Sequence, residues 1–252
     1  MIIMEQKWRV LPLKSYDAYM AMAIDEAISE SVSAGADPTI RFWIWKPSAV
    51  SIGYFQSLEE EVDIEKCKDK KVDFVRRRTG GGAVYHDNKG EITYSVIAPE
   101  AMFPKDIIKS YHVICGWIID GLKNLELETE FKPINDICLN GKKISGNAQT
   151  RRNKILLQHG TILHDLDVET MFSLLKVGVE KISDKVIQDV KQRVTCILDH
   201  RQISQQEVYE ALLQGFTKDK TYYIGNLTDD EVKRAKELSE TKYSTKDWNF
   251  MR

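Results

Sequence analysis

A chain of 252 residues that is 42% hydrophobic and 29% charged is long enough for one large domain or two modest ones, and it has the balance of an ordinary globular protein with a sizeable core. The formal net charge of −2 offers no general field for nucleic acid or an acidic membrane surface, so neither partner is expected and any anion binding must be local. The longest apolar runs fall far short of the roughly 20 residues of a membrane span, and the N-terminus lacks a basic-then-apolar signal pattern, which predicts a cytoplasmic protein. Four cysteines (Cys67, Cys115, Cys138, Cys196) lie far apart with no C-x-x-C spacing. That argues against a zinc site or a disulfide framework and predicts small core residues.

In chain order, residues 7–13 predict a short strand and 17–33 a helix, whose stripe of Met20, Ile24 and Ile28 at i+4 marks a buried face. Gly35 and Pro38 end it. Thr39 to Trp45 and Ala49 to Gly53, on either side of Lys46-Pro47-Ser48, read as two paired strands. The acidic run Glu59-Glu60-Glu61 opens a helix through about Lys70, where carboxylates suit the N-terminal end. Val72 to Val75 is a strand that delivers Arg76-Arg77-Arg78-Thr79-Gly80-Gly81-Gly82-Ala83-Val84-Tyr85-His86. Three arginines followed by three glycines place fixed positive charge beside bare backbone N–H groups, a receptacle for a phosphate or carboxylate. Alone, the stretch reads by default as a surface turn with solvated arginines. It matches neither G-x-x-x-x-G-K-[ST] nor G-x-G-x-x-G, so a bound nucleotide would occupy neither a P-loop nor a Rossmann crevice.

Glu91 to Ala98 alternates with period 2, putting Ile92, Tyr94, Val96 and Ala98 on one face and Thr93, Ser95 and Ile97 on the other. Residues 105–123 repeat apolar side chains at helical spacing, with His112 off the stripe. In Asn135 to Gln149, Asn140-Gly141 signals a two-residue type I′ hairpin. That register pairs Leu139 with Lys142, Cys138 with Lys143, Ile137 with Ile144 and Asp136 with Ser145. It puts Asp136, Cys138, Lys143 and Ser145 on one face, with Asp136 and Lys143 set diagonally within roughly 7 to 8 Å, placed to act on one ligand. A solvated ion pair of negligible value is the other reading. After a polar turn at Arg151-Arg152-Asn153, residues 154–163 read as a strand in which Gly160 beside His159 allows close approach of a ligand or backbone. Residues 165–177 are predicted helical, 178–194 charged and irregular, 204–216 an amphipathic helix with a Ser204/Glu207 capping box, and 229–240 a polar helix. No internal repeat or Pro/Gly-rich linker divides the chain, which predicts a single domain over 1–252 of α/β (α+β) class.

Taken together, Arg76 to Asp87, Asn135-Asp136-Ile137, Lys142 to Ala148, His159-Gly160-Thr161 and Arg193-Val194-Thr195 resemble, in order and over essentially the whole chain, the lipoate-protein ligase A family within the wider biotin and lipoate ligase and acyltransferase group. The resemblance implies a central mixed, largely antiparallel sheet flanked by helices. It implies ATP-dependent activation of lipoate to lipoyl-AMP with Mg²⁺, then transfer to a lysine of an acceptor lipoyl domain, such as a 2-oxoacid dehydrogenase E2 subunit or the glycine cleavage H protein. By similarity, Lys143 contacts the acyl carbonyl and the α-phosphate. Arg77 and the loop of Gly80, Gly81, Gly82, Ala83, Val84 and Tyr85 hold phosphates and adenylate, and Asp136, with Asn135, meets adenylate or the metal. His86, Gly146, Ala148 and His159 line the acyl pocket. Single-chain ligases of this kind carry a further small C-terminal domain. This sequence stops at Lys242 to Trp248 about where the large domain ends, so a separate small accessory protein is expected for adenylation. Two other readings stand beside this one: an octanoyl or lipoyl transferase using a cysteine nucleophile, Cys196 or Cys138, and a non-catalytic lipoate-binding module.

Overall fold

A computed structural model describes residues 7–176 and 192–252. The N-terminal third carries β1 (Trp8–Tyr16), α1 (Ala18–Ser33), β2 (Thr39–Trp45), β3 (Ala49–Ile52), α2 (Leu58–Glu61), α3 (Ile64–Asp69), β4 (Asp73–Arg76) and β5 (Val84–His86). The middle carries β6 (Glu91–Pro99), α4 (Ile107–Lys123), β7 (Thr129–Lys132), β8 (Asp136–Leu139), β9 (Lys142–Arg152), β10 (Ile155–Leu163) and α5 (Val168–Leu174). Then come α6 (Gln205–Thr217), β11 (Tyr222–Ile224), α7 (Asp229–Leu238) and α8 (Lys246–Asn249). Eight strands form one sheet in the order β11, β1, β2, β6, β10, β9, β8, β7, parallel at its first two pairings and antiparallel thereafter. A small sheet holds β4, β3 and β5. This is the mixed, largely antiparallel sheet flanked by helices that the sequence predicts.

The period-2 pattern of β6 explains its central place. Ile92, Tyr94, Val96 and Ala98 enter a core with Ile114 and Ile118 of α4 and Phe216 of α6, while Ile97 enters the opposite core with Ile24 and Ile28 of α1 and Ala235 of α7. Helices therefore cover both faces, and every β6 residue from Glu91 to Ala98 is buried. The capping box of α6 is present as predicted, Ser204 Oγ accepting from Glu207 N and the Glu207 carboxylate accepting from Ser204 N.

Several expectations are corrected. β2 and β3 do not pair; the turn at Lys46-Pro47-Ser48 sends β3 out of the large sheet to the centre of the small one. The helix expected through Lys70 is two short helices, because Val62 is extended and bridges to Leu175 while Asp63 caps α3 by accepting from Lys66 N. At the hairpin, Asn140 (φ 52°) and Gly141 (φ 77°) make the predicted turn, and the first two pairs are as expected. A bulge then puts Ile137 opposite Ser145 and Asp136 opposite Gly146, with Ile137 and Ile144 both fully buried. The polar helix α7 is also anchored: Glu231 is buried against Arg9, Nη2 to Oε1 2.6 Å, and Leu238 and Ala235 pack on α1. Of the segment expected to be irregular, residues 178–191 lie outside the described residues, as does Val177 at the expected end of α5.

Candidate active site

The loop between β4 and β5 is shaped from beneath by its own arginines. Arg77, 6% exposed, uses all five guanidinium donors on protein: Nε to Thr79 Oγ1 (3.2 Å), Nη1 to Ser51 O and Oγ (3.2 and 3.1 Å), and Nη2 to Gly80 O and Gly82 O (2.8 Å each). Burial lowers its pKa to about 10, which leaves it a cation at neutral pH. Arg77 thus builds the loop and has no N–H left to offer a phosphate. Arg76 is likewise buried, bonding the carbonyls of Gly53, Tyr54 and Gln56 and those of Trp248 and Asn249, so the loop is tied to the end of the chain.

Two histidine relays lead away from Arg77. In one, Ser51 receives a bond from Arg77, His86 Nε2 lies 2.8 Å from Ser51 Oγ, and His86 Nδ1 lies 2.7 Å from Glu91 Oε1. In the other, Thr79 receives a bond from Arg77, His159 Nε2 lies 2.7 Å from Thr79 Oγ1, and His159 Nδ1 lies 3.3 Å from Asp25 Oδ2. The carboxylates fix the tautomers: each histidine donates from Nδ1 to a carboxylate and accepts a hydroxyl proton at Nε2. Burial lowers the His159 pKa against the opposing pull of Asp25, so the ring is neutral at pH 7. Burial raises the Asp25 carboxyl, but Arg41, His159 and Ser95 outweigh it and hold the group below its usual value.

An unfolded histidine titrates at about pH 6.5, so below it the unfolded chain takes up a proton that folded His159 refuses. The stability is complete above that pH and is lost as pH falls from there toward the folded pKa. Asp25, with a lowered carboxyl, loses its contribution only at more acid pH. His159→Gln is expected to flatten the decline in melting temperature between about pH 7 and pH 5. An unchanged slope would assign the decline elsewhere.

Lys143 stands at the start of β9, its Nζ 2.6 Å from Asp136 Oδ1, both groups partly exposed. Its carbonyl accepts from Thr195 N at 2.9 Å, and Val194 bridges it in parallel, so the Arg193-Val194-Thr195 segment is docked on the lysine's backbone. A Cβ on Gly146 would come within 2.8 Å of Lys143 Cε and Nζ; the bare glycine is what gives the lysine room over β9. Asn135 is locked to Asn147, whose Nδ2 donates to Asn135 O (2.9 Å) and whose Oδ1 accepts from Tyr94 (2.7 Å).

A cavity of about 330 Å³ joins these parts, within the range of small-molecule sites. Of the residues singled out in the sequence it brings together Lys143, Gly146, Ala148, His86, His159 and Asn135 with Arg77 and the loop from Gly81 to Tyr85. Gly80 and Asp136 do not line it, and Asp136 acts from behind through Lys143. Among the described residues no cluster of three or more His, Cys, Asp or Glu is arranged to hold a metal ion. The apolar wall was missed: Met22, Trp43 and Trp45 together with Leu163, Leu166 and Met171. So was Asp25, although an acid inside the apolar stripe of α1 was the available signal. None of the four cysteines lines the cavity, and burial raises every thiol, Cys67 and Cys196 to about 11, Cys115 to about 12, and Cys138 upward. No described helix is long and apolar enough to cross a membrane.

The model of the lipoyl protein ligase A/B catalytic domain matches residues 17–217. Octanoyltransferase LipM of Brevibacillus brevis is 37% identical across 98% of this chain and 100% of its own length, and the LipM of Staphylococcus aureus is 37% identical across 98% and 99%. A bipartite lipoate protein ligase from Thermoplasma acidophilum, solved in a study with its E2 lipoyl domain, superposes with a TM-score of 0.87 at 33% identity, covering 98% of this chain and 96% of that one. The octanoyltransferase relatives overturn the expected ATP-dependent lipoate ligation. Its supporting motifs, the glycine loop and the strand lysine, serve any site that holds an acyl carbonyl, so they did not separate an adenylating enzyme from a transferring one. The loop, the lysine strand and the full-length matches converge on one assignment: this chain belongs to the lipoyl protein ligase A/B catalytic domain family.

Proposed function

We propose that the chain transfers an octanoyl or similar eight-carbon acyl group from a carrier thioester to a lysine of a lipoyl-domain acceptor protein. The observation that carries this reading is the cavity itself: about 330 Å³ with apolar walls, room for a medium acyl chain, and lined also by Lys143 and its neighbour Gly146. The octanoyltransferase relatives support it at the level of the reaction. The acceptor amine attacks the thioester carbonyl, the C–S bond breaks, and the amine's proton leaves with the thiolate. Lys143 lies where negative charge collects on the carbonyl oxygen, and Asp136 holds the ammonium in place. Small residues at Gly146 and Ala148 leave space for the chain. The donor arrives activated, so this chemistry draws on no nucleotide or metal.

The four thiols, buried and raised in pKa, favour direct transfer over a relay through an acyl-cysteine. Cys138, paired directly across from Lys143, is the one positioned to test this. Cys138→Ser and Cys196→Ser are each expected to keep near wild-type transfer, and acid-quenched protein is expected to carry no acyl group. Loss of activity in either variant, with acyl mass on the wild-type chain, would establish the covalent route instead. The reading as a whole is tested by mixing the chain with octanoyl-loaded carrier and an acceptor lipoyl domain without ATP, then weighing the acceptor. No octanoyl mass gain would refute it.

A further inference from the structure

Direct pairings carry one row of residues across five strands: Trp43 of β2, Thr93 of β6, Thr161 of β10, Gly146 of β9 and Asp136 of β8. Paired residues share a face, and all of this row except Asp136 lines the acyl cavity. Lys143 reaches the row at Gly146, its Nζ 2.8 Å from where a Cβ there would sit. Thr161 is the partner of that bare glycine, and Cβ positions paired in this way lie roughly 4.5 to 5.5 Å apart. Thr161 is partly exposed, and its Oγ1 has no hydrogen-bond partner among the described residues. Unlike Trp43 Nε1, which is also unbonded, it is not sealed from solvent. Its neighbours cannot take its proton. Gly146 has no side chain, and the Thr93 hydroxyl donates to Glu91 Oε1 (2.8 Å) and accepts from Trp45 Nε1 (2.7 Å). His159 Nε2, two residues back on β10, is occupied by Thr79 Oγ1 at 2.7 Å. An unbonded hydroxyl in the cavity wall, one strand from the Lys143 ammonium, is a donor free for a ligand.

We infer that Thr161 is a catalytic residue of the proposed transfer, its hydroxyl donating with the Lys143 ammonium to the acyl carbonyl oxygen over Gly146. As the acceptor amine bonds to the carbonyl carbon, that oxygen takes up negative charge. It gives the charge back when the C–S bond breaks and the amine proton leaves with the thiolate, and Thr161 keeps its own proton throughout. The two donors differ in kind. Lys143 brings charge on a flexible stem, whereas Thr161 is β-branched on a central strand, which confines its χ1 and fixes the direction of its donor. Two donors orient the carbonyl where one would only attract it.

The inference rests on the transfer reading, and its test separates the two. Thr161→Val keeps the shape and the branching and removes only the hydroxyl. Octanoyl transfer from loaded carrier is expected to fall about 10²-fold, in kcat rather than KM. The melting curve should not move, because Oγ1 bonds nothing in the fold. Thr161→Ser, which restores the hydroxyl, is expected to recover most of the rate. Without acceptor, S-octanoyl-pantetheine labelled at its carbonyl carbon is bound to each protein and its infrared spectrum recorded. The C=O stretch is expected at lower frequency in the wild type and the serine variant than in the valine variant. With an active wild type, near-normal kcat in Thr161→Val, equal loss in Thr161→Ser, or equal carbonyl frequencies in wild type and valine variant would overturn the inference and leave transfer standing. A wild type that moves no octanoyl group defeats the transfer reading itself, and the carbonyl frequencies, read without turnover, still decide whether Thr161 holds the carbonyl.

Discussion

Lys143→Ala is expected to lower octanoyl transfer on the order of 10² to 10³-fold, the scale for removing one preorganised donor from a developing oxyanion. Its side chain is 40% exposed and that of its partner Asp136 is 34% exposed, so the lost ion pair removes little stability and the melting curve should barely move. The effect should fall on the transfer rate more than on acyl binding, since the apolar walls that hold the chain remain. Lys143→Arg is expected to fail almost as badly. The lysine stem lies against bare Gly146, within 2.8 Å of where a Cβ would sit, and a planar fork cannot replace a compact ammonium in that space. Stopped assays with loaded carrier and acceptor domain give the rates directly. A near-normal rate in the alanine variant would remove Lys143 from the chemistry.

The parts of this site legible in the sequence were those with local causes. Asn140-Gly141 specifies its turn through two positive φ values, and Gly160 beside His159 announced a close approach that the fold provides. What escaped was set by tertiary packing. The bulge that moves Asp136 opposite Gly146 leaves no mark in a two-residue turn, and the separation of β3 from β2 depends on where the small sheet forms. Arg77 shows the limit most clearly: a cation beside three glycines reads as an anion receptor, yet burial and five internal bonds make it the loop's scaffold. The choice of reaction was least legible, because an acyl pocket with a strand lysine is common ground for ligation and transfer.

Gly53→Ala is expected to reduce transfer about 10²-fold, although Gly53 does not line the acyl pocket, because misplacing a site by about 1 Å carries a cost of that order. An ideal Cβ at Gly53 would lie 2.0 Å from Gly81 O, 3.0 Å from Gly81 C and 3.2 Å from Gly80 C. Neither side can yield cheaply. Gly53 follows β3, the central strand of the small sheet, and its N–H is held by Gln56 Oε1 at 2.9 Å. Gly81, at φ +97°, is flanked by the two carbonyls bonded to Arg77 Nη2. The methyl group therefore lifts the loop off Arg77 and out of register with Lys143. A glycine to alanine change ordinarily adds about 0.4 to 1 kcal/mol through the unfolded chain; here overpacking should reverse the sign and remove about 1 to 3 kcal/mol. Gly80→Ala is the control. Its Cβ would meet only Phe55 Cδ2, at 4.0 Å, with no positive φ to strain, so that variant should transfer and melt almost as the wild type does. In the sequence nothing marks Gly53 rather than Gly80 as the point of close approach, and the paired variants separate the two. Equal activity in Gly53→Ala and Gly80→Ala would show that the loop tolerates displacement and that its backbone does not set the position of the acyl group.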